Sequence, residues 1–139
     1  MKDDCIFCKI ANGLIPAAKL YEDEDFCVIL DLGPASRGHA LILPKEHYQD
    51  VCELDGAVGA KVLPLAGKIG KAMKKGLGCA GFNLVQNNGE EAGQTVMHFH
   101  MHVIPRYSGG PKMVAWEPQT LDKEDAEAIA GAVKAEFVK

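Results

Sequence analysis

Two things are missing from this sequence: long apolar runs and a strong excess of either charge. No segment approaches the length of a membrane span, and residues 1–13 contain no continuous apolar run of the kind found in signal peptides. These absences predict a cytoplasmic protein without a membrane partner. The formal net charge is −4 and the basic residues are scattered, so broad binding to nucleic acid is not expected. Binding of a small phosphate ligand is still compatible with this charge, because a pocket needs only a few local hydrogen-bond donors.

Repeats, low-complexity tracts and an internal linker are also missing. The chain has 139 residues, of which 47% are hydrophobic and 24% are charged, and this predicts a single domain over residues 1–139. Its five cysteines are an odd number, which does not suggest a disulfide framework. Cys5 and Cys8 have the C-x-x-C spacing of metal ligands, although a redox pair or a chance pair would look the same.

The spacing of apolar residues predicts strands on both sides of one long helix. Helical spacing covers residues 54–77, where Pro64 predicts a kink near residues 60–64. The segments with strand-like patterns are residues 18–22, 26–31, 38–43, 81–87 and 97–105. Because the other connections are short, this order predicts an α+β domain with a mainly antiparallel sheet of about five strands.

A second helix is predicted near the C-terminus. It begins after Asp122, which is a suitable N-cap, and it places Ile129, Val133 and Phe137 on one apolar face. The expected fold therefore has one long helix and one C-terminal helix beside the sheet.

The stretch HFHMH places His98, His100 and His102 at alternate positions. In a strand these side chains would share one face, where they could form a metal site, a catalytic site or a chance cluster on a solvated edge. One metal bound by all three is disfavoured, because the outer Cα atoms would be roughly 13 Å apart and zinc needs each nitrogen within about 2.1 Å. Nucleophilic catalysis fits better, since a neutral imidazole attacks phosphorus readily. His100, with a polar neighbour on each side, is the candidate nucleophile.

HFHMHVI resembles the signature of the histidine triad (HIT) family, in which three histidines alternate with apolar residues. CIFCKIANGLIP and YEDEDFCVILDLGPASRGHALILPKEH are similar to the N-terminal half of that family, and GFNLVQNNGEEAGQTVMHFHMHVIPRY is similar to its C-terminal half. The resemblance covers residues 5–107 and is closest to the Hint-like nucleoside phosphoramidase branch. Residues 108–139 depart most from the pattern. This tail, with Trp116, is expected to shape the substrate pocket or the dimer interface.

The resemblance implies a histidine-triad-like fold. It also implies a nucleotide hydrolase that works through a nucleotidyl-histidine intermediate. His100 would attack the α-phosphorus, His102 and His39 would surround the phosphate, and Thr95 would relay a proton to the departing amine. The substrate-binding residues implied by the family are Asp31, Leu32, Asn87, Gly93, Gln94, Thr95, His100 and His102. Asp31 would accept a hydrogen bond from the ribose. Without the resemblance, Asp31 and Asn87 could equally be turn residues.

Purine nucleoside phosphoramidates or adenylated amines are the expected substrates, and a nucleoside monophosphate the expected product. A dinucleoside polyphosphate hydrolase and a non-catalytic, zinc-stabilised nucleotide-binding module are the alternatives. The resemblance also implies a homodimer. Some members of the family hold a structural Zn²⁺ with a cysteine pair and two histidines, whereas others lack the cysteines. Here the resemblance implies that Zn²⁺ would be bound by Cys5, Cys8, His47 and His98. Such a closed site would support the fold, while the chemistry itself would need no cofactor.

Overall fold

An antiparallel sheet forms the centre of the computed structural model, which describes residues 1–111 and 117–137. Within these ranges the sheet has five strands, β1 Lys19–Glu22, β2 Phe26–Leu30, β3 Ala40–Pro44, β4 Gly81–Val85 and β5 Met101–Arg106. Their order is β1-β2-β3-β5-β4, and each neighbouring pair is antiparallel. The α+β fold predicted from the sequence is confirmed. Because β5 lies between β3 and β4, the end of the histidine stretch enters the interior of the sheet.

Three α-helices accompany the described strands. They are α1 Ile6–Ala11, α2 Gly56–Leu77 and α3 Lys123–Glu136, and a short 3-10 turn spans Glu90–Ala92. The Asp55 carboxylate caps α2 by accepting hydrogen bonds from the backbone N–H groups of the first turn, and Gly78 ends the helix at a φ of 72°. The helix continues through Pro64, so the kink predicted near residues 60–64 does not divide it. The sequence patterns did not predict α1.

Both faces of the central strands are covered, and this explains their continuous apolar sequences. Alternate residues point to opposite faces of a strand. Val28, Ala40 and Ile42 pack under α2, whereas Ile29 and Leu41 pack under α1. The sheet thus separates two apolar layers, and the short helix α1 covers the face that His102 shares with its strand partner Leu41.

The predicted strand over residues 97–105 is wrong at its beginning. The strand β5 starts at Met101, so only His102 of the three histidines lies in it. The neighbouring strand β3 ends at Pro44, which has no N–H to donate, and the Pro44 carbonyl accepts a hydrogen bond from the His98 ring at 2.9 Å. The amide of Phe99 instead donates to the Tyr48 carbonyl at 2.6 Å. His98 and His100 therefore lie on a bent approach to the sheet.

The C-terminal helix α3 forms where the sequence predicts it. The Asp122 side chain accepts a hydrogen bond from the Asp125 amide at 3.1 Å and caps the helix. Ile129 and Val133 are exposed, and α3 packs against no other element in the described ranges. Trp116 lies outside the described residues. Among the described helices, none is long and apolar enough to cross a membrane.

A close approach between α2 and β4 yields a stability prediction. A Cβ atom added at Gly70 would lie 2.2 Å from the Phe82 ring, whereas one added at Gly67 would meet nothing within 4 Å. Gly70→Ala should therefore lower the free energy of unfolding by about 2 kcal/mol through overpacking. Gly67→Ala, the matched control on the same helix, should leave it unchanged or raise it by up to about 1 kcal/mol. Urea denaturation of both variants checks this, and equal effects would contradict the packing.

Candidate active site and zinc site

The His100 ring is held in one tautomer by a backbone carbonyl. Its Nδ1 lies 2.7 Å from the carbonyl oxygen of His98. Because a carbonyl can only accept, Nδ1 carries the proton and the Nε2 lone pair stays free. His100 is 7% exposed, and burial lowers its pKa, which keeps the ring neutral at pH 7. The geometry thus presents an unprotonated Nε2, the form of imidazole that can act as a nucleophile.

His39 and His102 form a second hydrogen-bonded pair beside it. The Ala35 amide donates to His39 Nδ1 at 2.9 Å, so in the neutral ring the proton is on Nε2. This Nε2 lies 2.8 Å from His102 Nδ1, which must accept and leaves the His102 proton on its own Nε2. The ring centroids of His100 and His102 are 5.0 Å apart. A neutral donor on His102 therefore lies beside the free lone pair of His100.

Protonation of this pair is opposed by burial. Burial, with the neighbouring rings of His100 and His39, lowers the pKa of His102 to about 4. Burial also lowers the pKa of His39, against the opposing effect of Asp31, whose carboxylate oxygen lies 3.5 Å from His39 Nε2. Asp31, His39 and His102 lie close enough together to be considered as a metal site. The 2.8 Å separation of the ring nitrogens is that of a hydrogen bond, and it is shorter than the roughly 3.3 Å between two nitrogen ligands of one tetrahedral metal.

Four other residues predicted to bind substrate have different surroundings. Asp31 accepts a hydrogen bond from the Gly33 amide at 2.8 Å through one oxygen, and its other oxygen faces His39. Leu32 is fully exposed. The side chains of Asn87 and Thr95 make no hydrogen bond within residues 1–111 and 117–137. The Thr95 hydroxyl and the Asn87 amide are thus available to a ligand, and Asp31 keeps unused acceptor capacity.

The loop between β4 and β5 contains two glycines with a positive φ. Gly89 and Gly93 have φ values of 90° and 96°, a region that favours glycine. A Cβ atom at Gly93 would lie 3.6 Å from the Asn87 side-chain nitrogen, so these two predicted site residues are neighbours.

The side chain of Gln94, one of the predicted substrate-binding residues, is directed into the protein. Its side chain is 2% exposed and makes three hydrogen bonds with the backbone. It accepts from the Gly89 amide at 2.8 Å and donates to the carbonyls of Gln49 at 2.7 Å and Val96 at 3.0 Å. In this conformation the side chain is turned into the loop and away from solvent.

Sequence reasoning missed Phe7. Its ring meets the His100 ring edge-on, with centroids 4.9 Å apart, and it also approaches His98 at 6.1 Å. The signal that could have found it is its position inside the C-x-x-C segment, since the same short helix α1 carries both cysteines toward the histidines.

The predicted zinc ligands come together at the start of α1. Cys5 is the N-cap of the helix and Cys8 lies in its first turn, while His47 follows β3 and His98 precedes β5. The Sγ atoms of both cysteines lie 3.4 Å from His98 Nδ1, and Cys8 Sγ lies 3.4 Å from His47 Nδ1. A tetrahedral zinc with these ligands requires sulfur and nitrogen to be about 3.6 Å apart. The four side chains therefore fit Zn²⁺ in spacing and in chemistry.

The orientation of His98 also suits a metal ligand. Its Nε2 donates to the Pro44 carbonyl at 2.9 Å, which leaves Nδ1 unprotonated and directed at the two sulfur atoms. Burial lowers the pKa of His98 to about 4, so the ring is neutral at pH 7. His98 therefore has two functions in this arrangement: its ring faces the cysteines, and its carbonyl fixes the tautomer of His100.

The HIT domain family matches residues 12–109. The chain belongs to the HIT family. It is 40% identical over 134 residues to Protein hit of Bacillus subtilis, with 94% of this chain and 92% of that protein covered. It is 39% identical over 137 residues to adenosine 5′-monophosphoramidase hnt1 of Schizosaccharomyces pombe, with coverage of 96% and 98%. These relatives place it in the Hint-like branch.

Other relatives extend the range of named activities and add solved structures. Adenylylsulfatase HINT3 of Arabidopsis thaliana is 45% identical over 137 residues, which cover 94% of this chain and 68% of that protein. A HIT family protein of Bacillus anthracis shares the fold with a TM-score of 0.88, 40% identity and full coverage of both chains. A zinc-bound histidine triad family protein of Mycobacterium smegmatis has a TM-score of 0.76 and 37% identity, with coverage of 96% and 98%.

Removal of one cysteine tests the zinc site. Cys8→Ser should lower the zinc content of the purified protein well below one ion per chain, because a thiolate ligand is lost. The melting temperature should fall with it. Cys52→Ser, at an exposed cysteine away from the cluster, is the matched control and should retain both. Zinc content by mass spectrometry and thermal unfolding give the result. Stoichiometric zinc in Cys8→Ser would refute this ligand set.

The lowered pKa of His102 predicts a loss of stability in acid. The unfolded chain binds a proton at this residue below pH 6.5, whereas the folded chain resists it until about pH 4. The contribution is thus present above pH 6.5 and is lost as the pH falls toward 4. Between pH 7 and pH 5 the loss should be about 1–2 kcal/mol. Denaturation of wild type and His102→Asn at both pH values measures it, and identical pH dependence in the two proteins would contradict the burial.

Proposed function

We propose that the protein hydrolyses purine nucleoside phosphoramidates or adenylated amines through a nucleotidyl-His100 intermediate and releases a nucleoside monophosphate. The observation that carries this proposal is the hydrogen bond from His100 Nδ1 to the His98 carbonyl, which leaves Nε2 unprotonated beside a proton donor on His102. The HIT family membership and the named activities of the relatives from fission yeast and Arabidopsis support it.

In the first step, His100 Nε2 forms a bond to the α-phosphorus while the bond from phosphorus to the leaving nitrogen breaks. The ring becomes positively charged, and its Nδ1–H remains on the His98 carbonyl, which stabilises that charge. The Nε2–H of His102 donates to a phosphoryl oxygen. The hydroxyl of Thr95, which has no hydrogen-bond partner among the described residues, gives the departing amine its proton.

In the second step, water attacks phosphorus and the bond to His100 Nε2 breaks. The electron pair returns to Nε2, and the proton released by the attacking water passes to the Thr95 oxygen that lost one in the first step. The ring is then neutral, the hydroxyl is restored, and the site is ready for another cycle. Burial supports this return because it lowers the pKa of His100. The products are the free amine and the nucleoside monophosphate.

The nucleoside would lie against α1 and the end of β2. Asp31 retains acceptor capacity for a ribose hydroxyl, and Asn87 and Gly93 line the loop on the phosphate side. Zinc bound by the two cysteines, His47 and His98 would supply structural stability by joining α1 to the approach to β5. It would have no open position for substrate.

The leaving group distinguishes the proposal from its alternatives. One relative is named as an adenosine 5′-monophosphoramidase and another as an adenylylsulfatase. Both names imply a substrate with an adenylyl group, but the leaving groups differ. A dinucleoside polyphosphate hydrolase, which would have a second nucleotide as its leaving group, is the alternative that the experiment below tests. A homodimer and a single domain over residues 1–139 stay predictions.

The direct test compares wild type with His100→Ala on adenosine phosphoramidate and on diadenosine polyphosphate. Wild type should release AMP faster from the phosphoramidate, and His100→Ala should lose about 10³-fold or more in kcat because the nucleophile is gone. AMP binding by calorimetry should survive the substitution and shows that the fold is intact. Full activity of His100→Ala would refute the nucleophile. AMP binding by a wild type that turns over neither substrate would identify a binding module.

A further inference from the structure

We infer that Gln94 is a positioning residue that sets the backbone of Thr95, and that its side chain does not contact the phosphate of the substrate. The inference rests on the proposed function for its kinetic test, because Thr95 is the proton donor in that proposal. It refines the expectation drawn from the sequence that Gln94 is a substrate-binding residue, because it leaves only the backbone of Gln94 for such a contact.

The first argument is the use of the amide donors. A glutamine side chain has two N–H donors and one accepting oxygen. Both donors of Gln94 are engaged, one by the Gln49 carbonyl at 2.7 Å and one by the Val96 carbonyl at 3.0 Å. Only the accepting oxygen keeps spare capacity, and phosphoryl oxygens also accept. The side chain thus has no donor left for a phosphate in this conformation.

The second argument is the cost of turning the side chain outward. Gln94 is 2% exposed, so its carbonyl partners would lose their hydrogen bonds inside the protein. The Gly89 amide would lose its acceptor as well, at 2.8 Å. The backbone amide of Gln94 donates back to the Gly89 carbonyl at 3.0 Å, so side chain and backbone together close the loop. Rotation would open this closed loop.

The third argument is where the hydrogen bonds lie relative to Thr95. The Gln94 side chain bonds to the carbonyl of Val96, which places Thr95 inside a short bridge from residue 94 to residue 96. The bond to Gln49 ties the same bridge to the segment after His47, and the Tyr48 carbonyl in that segment accepts the Phe99 amide at 2.6 Å. These hydrogen bonds fix the backbone of the exposed residue Thr95 relative to the segment that leads to His100.

The first experiment observes these hydrogen bonds in the wild-type protein by NMR. The Gly89 amide should exchange slowly with solvent, and this protection and the Gln94 side-chain amide signals should persist at saturating AMP. If AMP removes the protection of Gly89 and shifts the Gln94 side-chain signals strongly, the side chain has turned to the nucleotide and the inference is wrong. This measurement needs no turnover, so it decides the role of Gln94 even if the proposed function fails.

The second experiment is a double-mutant cycle between Gln94→Met and Thr95→Val. Gln94→Met keeps the length of the side chain and removes its hydrogen bonds. Each single variant should lower kcat by about 10- to 100-fold for a substrate with an alkylamine leaving group, which needs a proton, and far less for one with an acidic phenol leaving group. The double variant should be no slower than Thr95→Val alone, because both substitutions remove the same proton transfer.

Direct contact with phosphate would give the opposite pattern. Gln94→Met would then slow both substrates equally, weaken AMP binding, and add its effect to that of Thr95→Val. Gln94→Glu provides a second variant of the same shape, with an acceptor for Gly89 but no donors for Gln49 and Val96. Under the positioning role it should show the same dependence on the leaving group as Gln94→Met. Near-equal slowing of both substrates by Gln94→Glu would also refute the inference.

Discussion

The arrangement of the candidate active site depends on the hydrogen bond from His100 Nδ1 to the carbonyl of His98. A neutral imidazole has one donor and one acceptor nitrogen, and the partner of the first decides the role of the second. Here the carbonyl accepts from Nδ1, so the free lone pair is on Nε2 of a ring whose centroid lies 5.0 Å from that of His102. The same residue, His98, directs its own ring toward two cysteines, with the Pro44 carbonyl holding its other nitrogen. The Pro44 carbonyl thus fixes the tautomer of His98, and the His98 carbonyl fixes that of His100, so the segment of residues 98–100 carries one ring of each site.

That segment is held from several directions. On one side, α1 brings the cysteines to His98 and the Phe7 ring to His100. On the other, the Tyr48 carbonyl accepts the amide of Phe99, between the two histidines. The backbone here is outside the regular sheet, so these contacts replace the hydrogen bonds that a strand would have supplied. Burial of the rings keeps them neutral, which suits both a metal ligand and a nucleophile.

The sequence predicted the fold class, because the order and type of the elements depend on short-range patterns. Apolar spacing identified α2, and Asp122 marked the start of α3. The C-x-x-C spacing with the family resemblance identified four side chains that the structure brings together. Helix α1 escaped detection because six residues are too few to show a helical period. The strand expected from residue 97 was wrong because alternation alone does not reveal that Pro44 cannot continue the ladder.

The direction of the Gln94 side chain was beyond sequence reasoning for a related reason. Its partners are backbone groups, and one of them belongs to Gln49, 45 residues away. No residue type at those positions signals the contact. The tautomer of His100 likewise follows from a backbone oxygen, although the side chains of the triad were predicted from the pattern.

Long-range ¹H–¹⁵N NMR spectra of the histidine rings at pH 7.5 test the central claim most directly, because they report which ring nitrogen carries the proton. The account predicts a neutral His100 with the proton on Nδ1 and an unprotonated Nε2. A His100 protonated on Nε2, either as the other neutral tautomer or as the charged imidazolium, would contradict it.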